Sequence, residues 1–444
     1  MTVSACEQAN PTHEYSKFSD LVEEQLSLLC DGKRANEEVI KKLLNGAAGE
    51  ALRSYVSRET RAADGIFFSG KALAQYVASL IKPAIKRGAT IADPACGAGD
   101  LLIACAEHFP DHQQHFWDER LIGLDLHAAF IDTARARIAL LHSQKKISGK
   151  RQKAISKATL PTCPNLKQGN FFENLDKIAN ADCVVMNPPF ATIASPQNCT
   201  WASGSIQLAG LFLASTLENA KEGQEIVAIL PDVLRSGTRY KRWRELISQQ
   251  SLIKRVHVHG RFDESTDVDV FVLYLKKQLP SQRRRAVDAR KWNNTLNLSI
   301  TPKKVQDLCK VSVGAFVPFR EKKEDRVVRL LNVKSALPDQ DIAVSQECHF
   351  NGTLHATPFV VIRRTSNPSD SRRIIPTLVS SPKEVAVENH LIVLSPLDGT
   401  IATCEMIMEN LRKDYVKEWM NKVIRCRHLT TAAVKNIPLI KLDD

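Results

Sequence analysis

The sequence predicts an α/β protein built on a mostly parallel, seven-stranded, doubly wound sheet, with a helical region before it and a mixed α+β domain after it. Three observations lead there. Between Ile66 and Lys276, seven short apolar runs alternate with stretches of helical periodicity. A glycine-rich turn follows the first run, and a basic, less regular stretch follows the last. Short buried strands alternating with helices are the pattern of a parallel sheet, because each crossover lays a helix over one of its faces.

Each element follows from local pattern. The chain has 444 residues, and at roughly 100–200 residues per domain it should form two or three. Val22, Leu26 and Leu29, then Val39, Leu43 and Leu44, recur at helical spacing, so residues 1–60 read as a helical region that covers the next domain. Residues 61–280 carry the expected strands 90–93, 121–125, 166–170, 183–187, 226–230, 253–258 and 268–275. Helices should begin near Lys71, Asp100, Ala128, Gln207 and Arg239. Gln278-Leu-Pro-Ser-Gln-Arg-Arg-Arg has the composition of a linker. Residues 290–444 form the last domain, where 405–424 reads as one long helix with Trp419 on one face.

Composition narrows the function classes. A hydrophobic share of 43% with 25% charged residues describes a chain that can bury sizeable cores, not a disordered one. The net charge is +12, and from Ser281 onward 27 Lys and Arg face 18 Asp and Glu, so most of the excess lies in the last third. A basic surface there suits a polyanion, nucleic acid first among them; a merely solvated basic surface is the competing reading. The eleven cysteines are scattered without CxxC pairs and read as core thiols of a reducing compartment. Cys348-His349 and the pair His257 and His259 lack a second ligand pair, so no metal site is expected. No apolar run reaches membrane-spanning length and no signal peptide opens the chain, which points to the cytoplasm and away from a membrane.

The segment Asp93-Pro94-Ala95-Cys96-Gly97-Ala98-Gly99-Asp100 runs from a strand into a helix. Gly97 and Gly99 permit backbone angles and close approach that a side chain would block. Thirty-two residues after Asp93, a second strand ends at Asp125-Leu126, where a carboxylate can accept hydrogen bonds from both hydroxyls of a ribose. Together they describe a nucleoside-cofactor pocket. A nicotinamide cofactor competes, but Leu102 stands where its GxGxxG fingerprint needs a third glycine, so an adenosyl cofactor without a pyrophosphate fits better. Upstream, Phe67 and Phe68 suit packing beside a methionine moiety, although at least one of them reads as core.

The chemistry points to Asn187-Pro188-Pro189-Phe190, placed directly after the fourth strand and about ninety residues beyond the glycine-rich turn. Two prolines stiffen the turn and remove backbone N–H donors, leaving acceptors. Acceptors are what a planar, delocalised amine needs: taking its two hydrogens at the Asn187 side-chain oxygen and the Pro188 carbonyl favours a pyramidal nitrogen aligned for attack on a methyl. Phe190 would stack on a base taken out of the duplex. No covalent intermediate is required, so Cys96 and Cys183 read as turn and core residues.

In these segments the chain resembles the gamma-class adenine-N6 DNA methyltransferases, which include type I modification subunits and type II modification enzymes. The resemblance covers roughly 65–275 and implies a class I S-adenosylmethionine-dependent methyltransferase, Rossmann-like in fold, with S-adenosyl-L-methionine as cofactor and double-stranded DNA as substrate. It implies a C-terminal target-recognition domain, a bacterial cytoplasm with the nucleoid as substrate, a monomer or homodimer, and a separate restriction endonuclease or specificity subunit as partner. The family's Phe-Phe/Tyr-Thr-Pro is similar to Phe67-Phe68-Ser69-Gly70 with its last two positions changed, and its acidic residue near the adenine ring falls on Asn170. In the last domain Arg363, Arg364, Arg372 and Arg373 flank a Ser/Asn/Pro loop and are candidates for DNA contact, phosphate before base edges. Trp201, in a polar loop over 191–205, is expected to order on DNA and help hold the flipped base. Competing readings are methylation of ribosomal RNA, protein glutamine or cytosine N4, and a non-catalytic specificity subunit on a methyltransferase fold.

Overall fold

The structure, a computed structural model, describes residues 13–110, 113–147, 155–262, 268–278, 292 and 303–439. Beyond Gln278, the expected linker lies outside these residues. The chain divides into two compact units: Met1–Leu234 with Arg239–Lys291, and Arg235–Thr238 with Trp292–Asp444.

Among the described residues the first unit holds nine strands: β1 (Ile91–Asp93), β2 (Leu121–Asp125), β3 (Leu166–Gln168), β4 (Cys183–Met186), β5 (Thr192–Ala194), β6 (Ser205–Gln207), β7 (Glu225–Pro231), β8 (Ser251–Arg261) and β9 (Asp269–Lys277). Seven form one sheet in the order β3-β2-β1-β4-β7-β9-β8. Neighbours from β3 to β7 are parallel, while β9 runs antiparallel to both β7 and β8. The seven-stranded, mostly parallel sheet expected from the sequence is therefore present. Its order reverses between β1 and β4, and the carboxyl ends there are where a doubly wound sheet binds ligands. Both β1 and β4 are buried along their whole length, as strands covered on both faces must be.

Helices α1 (Ser16–Cys30), α2 (Glu37–Leu44), α3 (Ala47–Tyr55) and α4 (Arg58–Asp64) precede the sheet. The side chain of Asn36 accepts from the N–H groups of Glu38 and Val39, so α2 starts there, with acidic residues in its first turn and lysines in its last. Then come α5 (Gly70–Leu80), α6 (Lys82–Lys86), α7 (Asp100–Ala106), α8 (Gln114–Arg120) and α9 (Ala128–Ile147). The N-terminal helices share one apolar core with the sheet and its helices: Tyr15, Phe18 and Val22 cluster with Phe130, Ala134 and Ile138 of α9. The stretch expected as a loop over 191–205 is a correction. Its ends pair as the antiparallel strands β5 and β6, with Thr192 opposite Gln207. Strands of three residues, each with a single isoleucine between small or polar neighbours, are too short to show an alternation.

The second unit has strands β10 (Cys309–Val313), β11 (Val327–Leu331), β12 (Asp341–Ala343), β13 (Glu347–His349), β14 (His355–Ala356), β15 (Phe359–Arg363), β16 (Pro376–Ser381), β17 (Glu384–Val387) and β18 (Leu391–Pro396). They form sheets β10-β18-β15-β16-β12 and β13-β11-β17-β14. Alternation along β15 feeds two cores: Val360 and Ile362 pack with the helices over 401–423, whereas Phe359 and Val361 pack with Leu331, Val385 and Val387. The single long helix expected over 405–424 is two, Ile401–Leu411 and Asp414–Val423, because Lys413 adopts an extended conformation between them. Among the described residues, no helix is long and apolar enough to cross a membrane.

Candidate active site

The glycine-rich turn takes the form its glycines allow. Gly97 and Gly99 sit at φ 51° and 88°, the left-handed region that favours glycine. A Cβ on Gly97 would stand 2.6 Å from Cε1 of Phe68, so the Phe68 ring lies directly over the turn. The Asp125 carboxylate accepts from the N–H of Gly97 and from that of His127, each at 2.9 Å, which ties the end of β2 to the turn. A carboxylate offers about four acceptor positions, so it keeps room to accept from a ligand. Asp93 is buried and accepts from the N–H of Ala95 at 3.1 Å; burial pushes its carboxyl up to about 8. Burial likewise raises Asp125 and drives the Cys96 thiol well up, so Cys96 is no nucleophile.

A cavity of about 490 Å³ opens over this turn. It is lined by Asp93, Pro94, Ala95, Cys96 and Gly97 of the turn, by Asp125 and Leu126, by Phe67, Phe68 and Asn170, and by Asn187 and Pro189. The first two glycine-rich and acidic segments, the upstream aromatics and the tetrapeptide thus converge on one space. Gly99, Pro188 and Phe190 are exceptions among the expected residues: they do not line the cavity, and Gly99 shapes the turn but faces Ala134 of α9. The sequence reading overlooked further lining residues, namely Asp100, His127, Phe130, Phe171, Phe172 and Phe212. Phe171 stacks on Phe212, with centroids 4.4 Å apart. The doublet Phe171-Phe172 directly after Asn170 was a visible signal; Phe212, inside an apolar helix, was not.

Asn170 is partly committed already. Its side-chain oxygen accepts from the N–H of Phe172 at 3.0 Å, and its NH2 reaches Glu173 at 3.3 Å, so it caps the turn that presents both phenylalanines.

The catalytic candidate is held from upstream. Asn187 donates through its side-chain NH2 to the main-chain carbonyl of Phe67 at 2.7 Å. A carbonyl can only accept, so this bond fixes which end of the amide is the donor. The other end, Oδ1, is buried without a partner in a residue that is 9% exposed. A buried orphan acceptor costs about 1–3 kcal/mol and calls for a donor from elsewhere. The N–H of Phe190 donates to the carbonyl of Gly65 at 3.1 Å, and a Cβ on Gly65 would meet the backbone nitrogen of Ala191 at 2.4 Å. Phe190 stacks on Phe67 at 5.6 Å and meets Phe262 edge-on at 5.5 Å. Phe67 therefore holds the Asn187–Phe190 turn with both its carbonyl and its ring, and Phe68 lies against the glycine-rich turn.

Two of the residues expected to meet DNA, Trp201 and Arg373, are corrections. Trp201 is 5% exposed, packed beside the ring of Tyr240, and does not line the cavity. Arg373 is 2% exposed and donates to the side chain of Asn421 and to the carbonyls of Ile424 and Cys426, so its charge is spent inside the second unit. Arg372 forms a two-pronged pair with Asp339, which also takes Arg412; the two guanidinium groups hold the Asp339 carboxyl below its ordinary range. Arg363 is exposed at the end of β15, and Arg364 is half-buried.

A family model described as N-6 DNA Methylase matches residues 42–317, more than half of the chain. No curated protein matches the sequence. Among solved structures, the type IIG restriction endonuclease BpuSI is similar at a TM-score of 0.51 and 12% identity, over 98% of this chain and 71% of that one. The type IIL restriction-modification enzyme MmeI, solved in complex with DNA, is similar at a TM-score of 0.55 and 13% identity, over 88% of this chain and 70% of that one. At such identities the likeness is one of fold.

Proposed function

The chain belongs to the N-6 DNA methylase family, and on that premise we propose that it methylates N6 of an adenine turned out of double-stranded DNA, with S-adenosylmethionine as methyl donor. The carrying observation is the buried, unpartnered Oδ1 of Asn187 beside a cavity that also contains the glycine-rich turn. An amine is the donor that this acceptor lacks.

The cavity residues fit the cofactor. Asp125 keeps acceptor positions for the ribose hydroxyls, the Phe171 and Phe212 rings offer an apolar face for an adenine, and Asp93 offers a carboxyl group that a bound ammonium would draw into its ionised form. When bound, S-adenosylmethionine supplies a sulfonium methyl. Everything else is done by this chain. Asn187 Oδ1 and the Pro188 carbonyl accept hydrogen bonds from the two amine hydrogens, which concentrates the nitrogen lone pair on one side. The Phe67 carbonyl keeps the Asn187 amide from rotating, so the acceptor is in place before the substrate arrives. Phe190, set against Phe67, is the ring proposed to stack on the base.

The second unit is the proposed DNA-reading part, with exposed Arg363 and half-buried Arg364 and Arg372 retained as contacts and the buried Arg373 and Trp201 withdrawn. A restriction-modification setting, with an endonuclease or specificity subunit as partner in the cytoplasm, is part of the same reading. The test is single-molecule sequencing of DNA from a host that expresses the wild type or Asn187→Ala. N6-methyladenine at a defined motif, present only with the wild type, is the expected result. Labelled methyl entering RNA or protein instead of DNA would overturn the reading.

A further inference from the structure

We propose that Arg137 is a positioning residue for the cofactor turn, through which the N-terminal helices set cofactor affinity; this rests on reading the cavity as a cofactor site. Arg137 projects from α9 and is fully buried. Its Nη1 donates to Asp100 Oδ1 at 2.8 Å and to the Ala98 carbonyl at 2.6 Å, both in the glycine-rich turn or the first residue of the helix it opens. Its Nε donates to the Leu43 carbonyl at 2.9 Å and its Nη2 to the Leu44 carbonyl at 3.3 Å. Those two carbonyls close α2, where the last turn has no intrahelical donors of its own. One guanidinium thus joins the end of an N-terminal helix to the turn under the cavity.

A second, apolar link runs to the same turn. Tyr15 is buried, its hydroxyl donates to the Ala48 carbonyl of α3 at 3.2 Å, and its ring meets Phe130 at 4.9 Å and Phe68 at 6.0 Å, both edge-on. Phe68 is the ring that lies over Gly97. Polar and aromatic contacts from the N-terminal helices therefore converge on Gly97 to Asp100.

The turn needs such a hold. Its two glycines at positive φ make the loop reachable and also make it the segment with most conformational freedom to lose. A turn already held in the binding conformation binds more tightly, because the ordering cost is met in folding. Asp100 carries the effect to the ligand: it lines the cavity, and the carboxylate oxygen not bound by Arg137 is buried without a partner. Lysine cannot replace arginine here, since one ammonium cannot span four acceptors on two segments.

The test uses the full chain and three substitutions, Arg137→Lys, Arg137→Met and Tyr15→Leu. Affinities for S-adenosylmethionine and S-adenosylhomocysteine are measured by calorimetry, amide exchange is followed over 94–100, and KM for cofactor is separated from kcat at saturating cofactor. Arg137→Lys is expected to weaken both ligands at least tenfold and speed exchange in the turn, with kcat within twofold of wild type; Tyr15→Leu should act in the same direction by several fold. Should the arginine variants fail to fold, Tyr15→Leu decides. Folded variants that melt lower but bind cofactor like wild type would show a merely structural role and overturn the inference, as would a loss confined to kcat. A wild type that binds neither ligand would overturn the reading of the cavity itself.

Discussion

The side-chain NH2 of Asn187 is bound to the main-chain carbonyl of Phe67 at 2.7 Å, and Asn187 Oδ1 is left buried and unpartnered. The protein keeps an acceptor that folding does not use. Asn187→Ala should therefore abolish methylation, by about 10³-fold or more, while cofactor and DNA affinities stay near wild type. Stability should change by less than about 1 kcal/mol, because the lost hydrogen bond is offset by removal of the orphan. Residual activity near wild type, or a large drop in melting temperature, would count against this account.

Two glycines separate binding from chemistry. Gly65 has φ 66° and abuts the backbone of Ala191 after the catalytic turn, whereas Gly97 has φ 51° and abuts the ring of Phe68 in the cofactor turn. Gly65→Ala should lower kcat by at least about tenfold with little change in cofactor affinity, since about 1.4 kcal/mol of misplacement suffices for that. Gly97→Ala should instead weaken cofactor binding. Steady-state kinetics with calorimetry distinguish the two, and identical profiles for both variants would refute the division.

Burial lifts the Asp93 carboxyl from 3.8 to about 8, with Asp125 and Asp100 adding and the Ala95 N–H opposing. Between those values the folded protein holds a proton that the unfolded chain has released. Stability of the ligand-free protein should thus fall as pH rises from 4 toward 8, by up to about 1.4 kcal/mol per unit, and level off above 8. Asp93→Asn should flatten that interval and exceed wild type in stability at pH 8. Denaturant titrations from pH 5 to 9 measure this; equal slopes in wild type and variant would show that Asp93 is not the group.

The arginines of the second unit should divide by burial. Arg373→Ala removes donors from the Ile424 and Cys426 carbonyls and should cost on the order of 3 kcal/mol of stability. Arg363→Ala should leave the melting temperature unchanged and weaken DNA binding, with a shallower salt dependence. A reversed pattern would return Arg373 to the DNA-contact set.

Much of the catalytic unit was legible because it rests on local rules. The seven strands follow from apolar runs, and the turn at Gly97 and Gly99 follows from glycines at a strand's end. What escaped was non-local or weakly patterned. Strands β5 and β6 are too short to show alternation, and nothing in Arg412-Lys413 marks a helix break. Trp201 and Arg373 were read as surface residues from their neighbours in sequence, whereas their exposure is set by Tyr240 and by residues 421–426.

The sequence by itself determined where the sheet's seven strands fall along the chain, the glycine-rich turn and the Asn187 tetrapeptide, because periodicity, glycine freedom and proline stiffness act within a few residues. Only the tertiary structure decided which atoms meet. Asn187 is held by a carbonyl 120 positions away, and Arg137 by a helix end 94 positions away. Such partners are chosen by the packing of distant segments around a shared core, which leaves no mark on either segment alone.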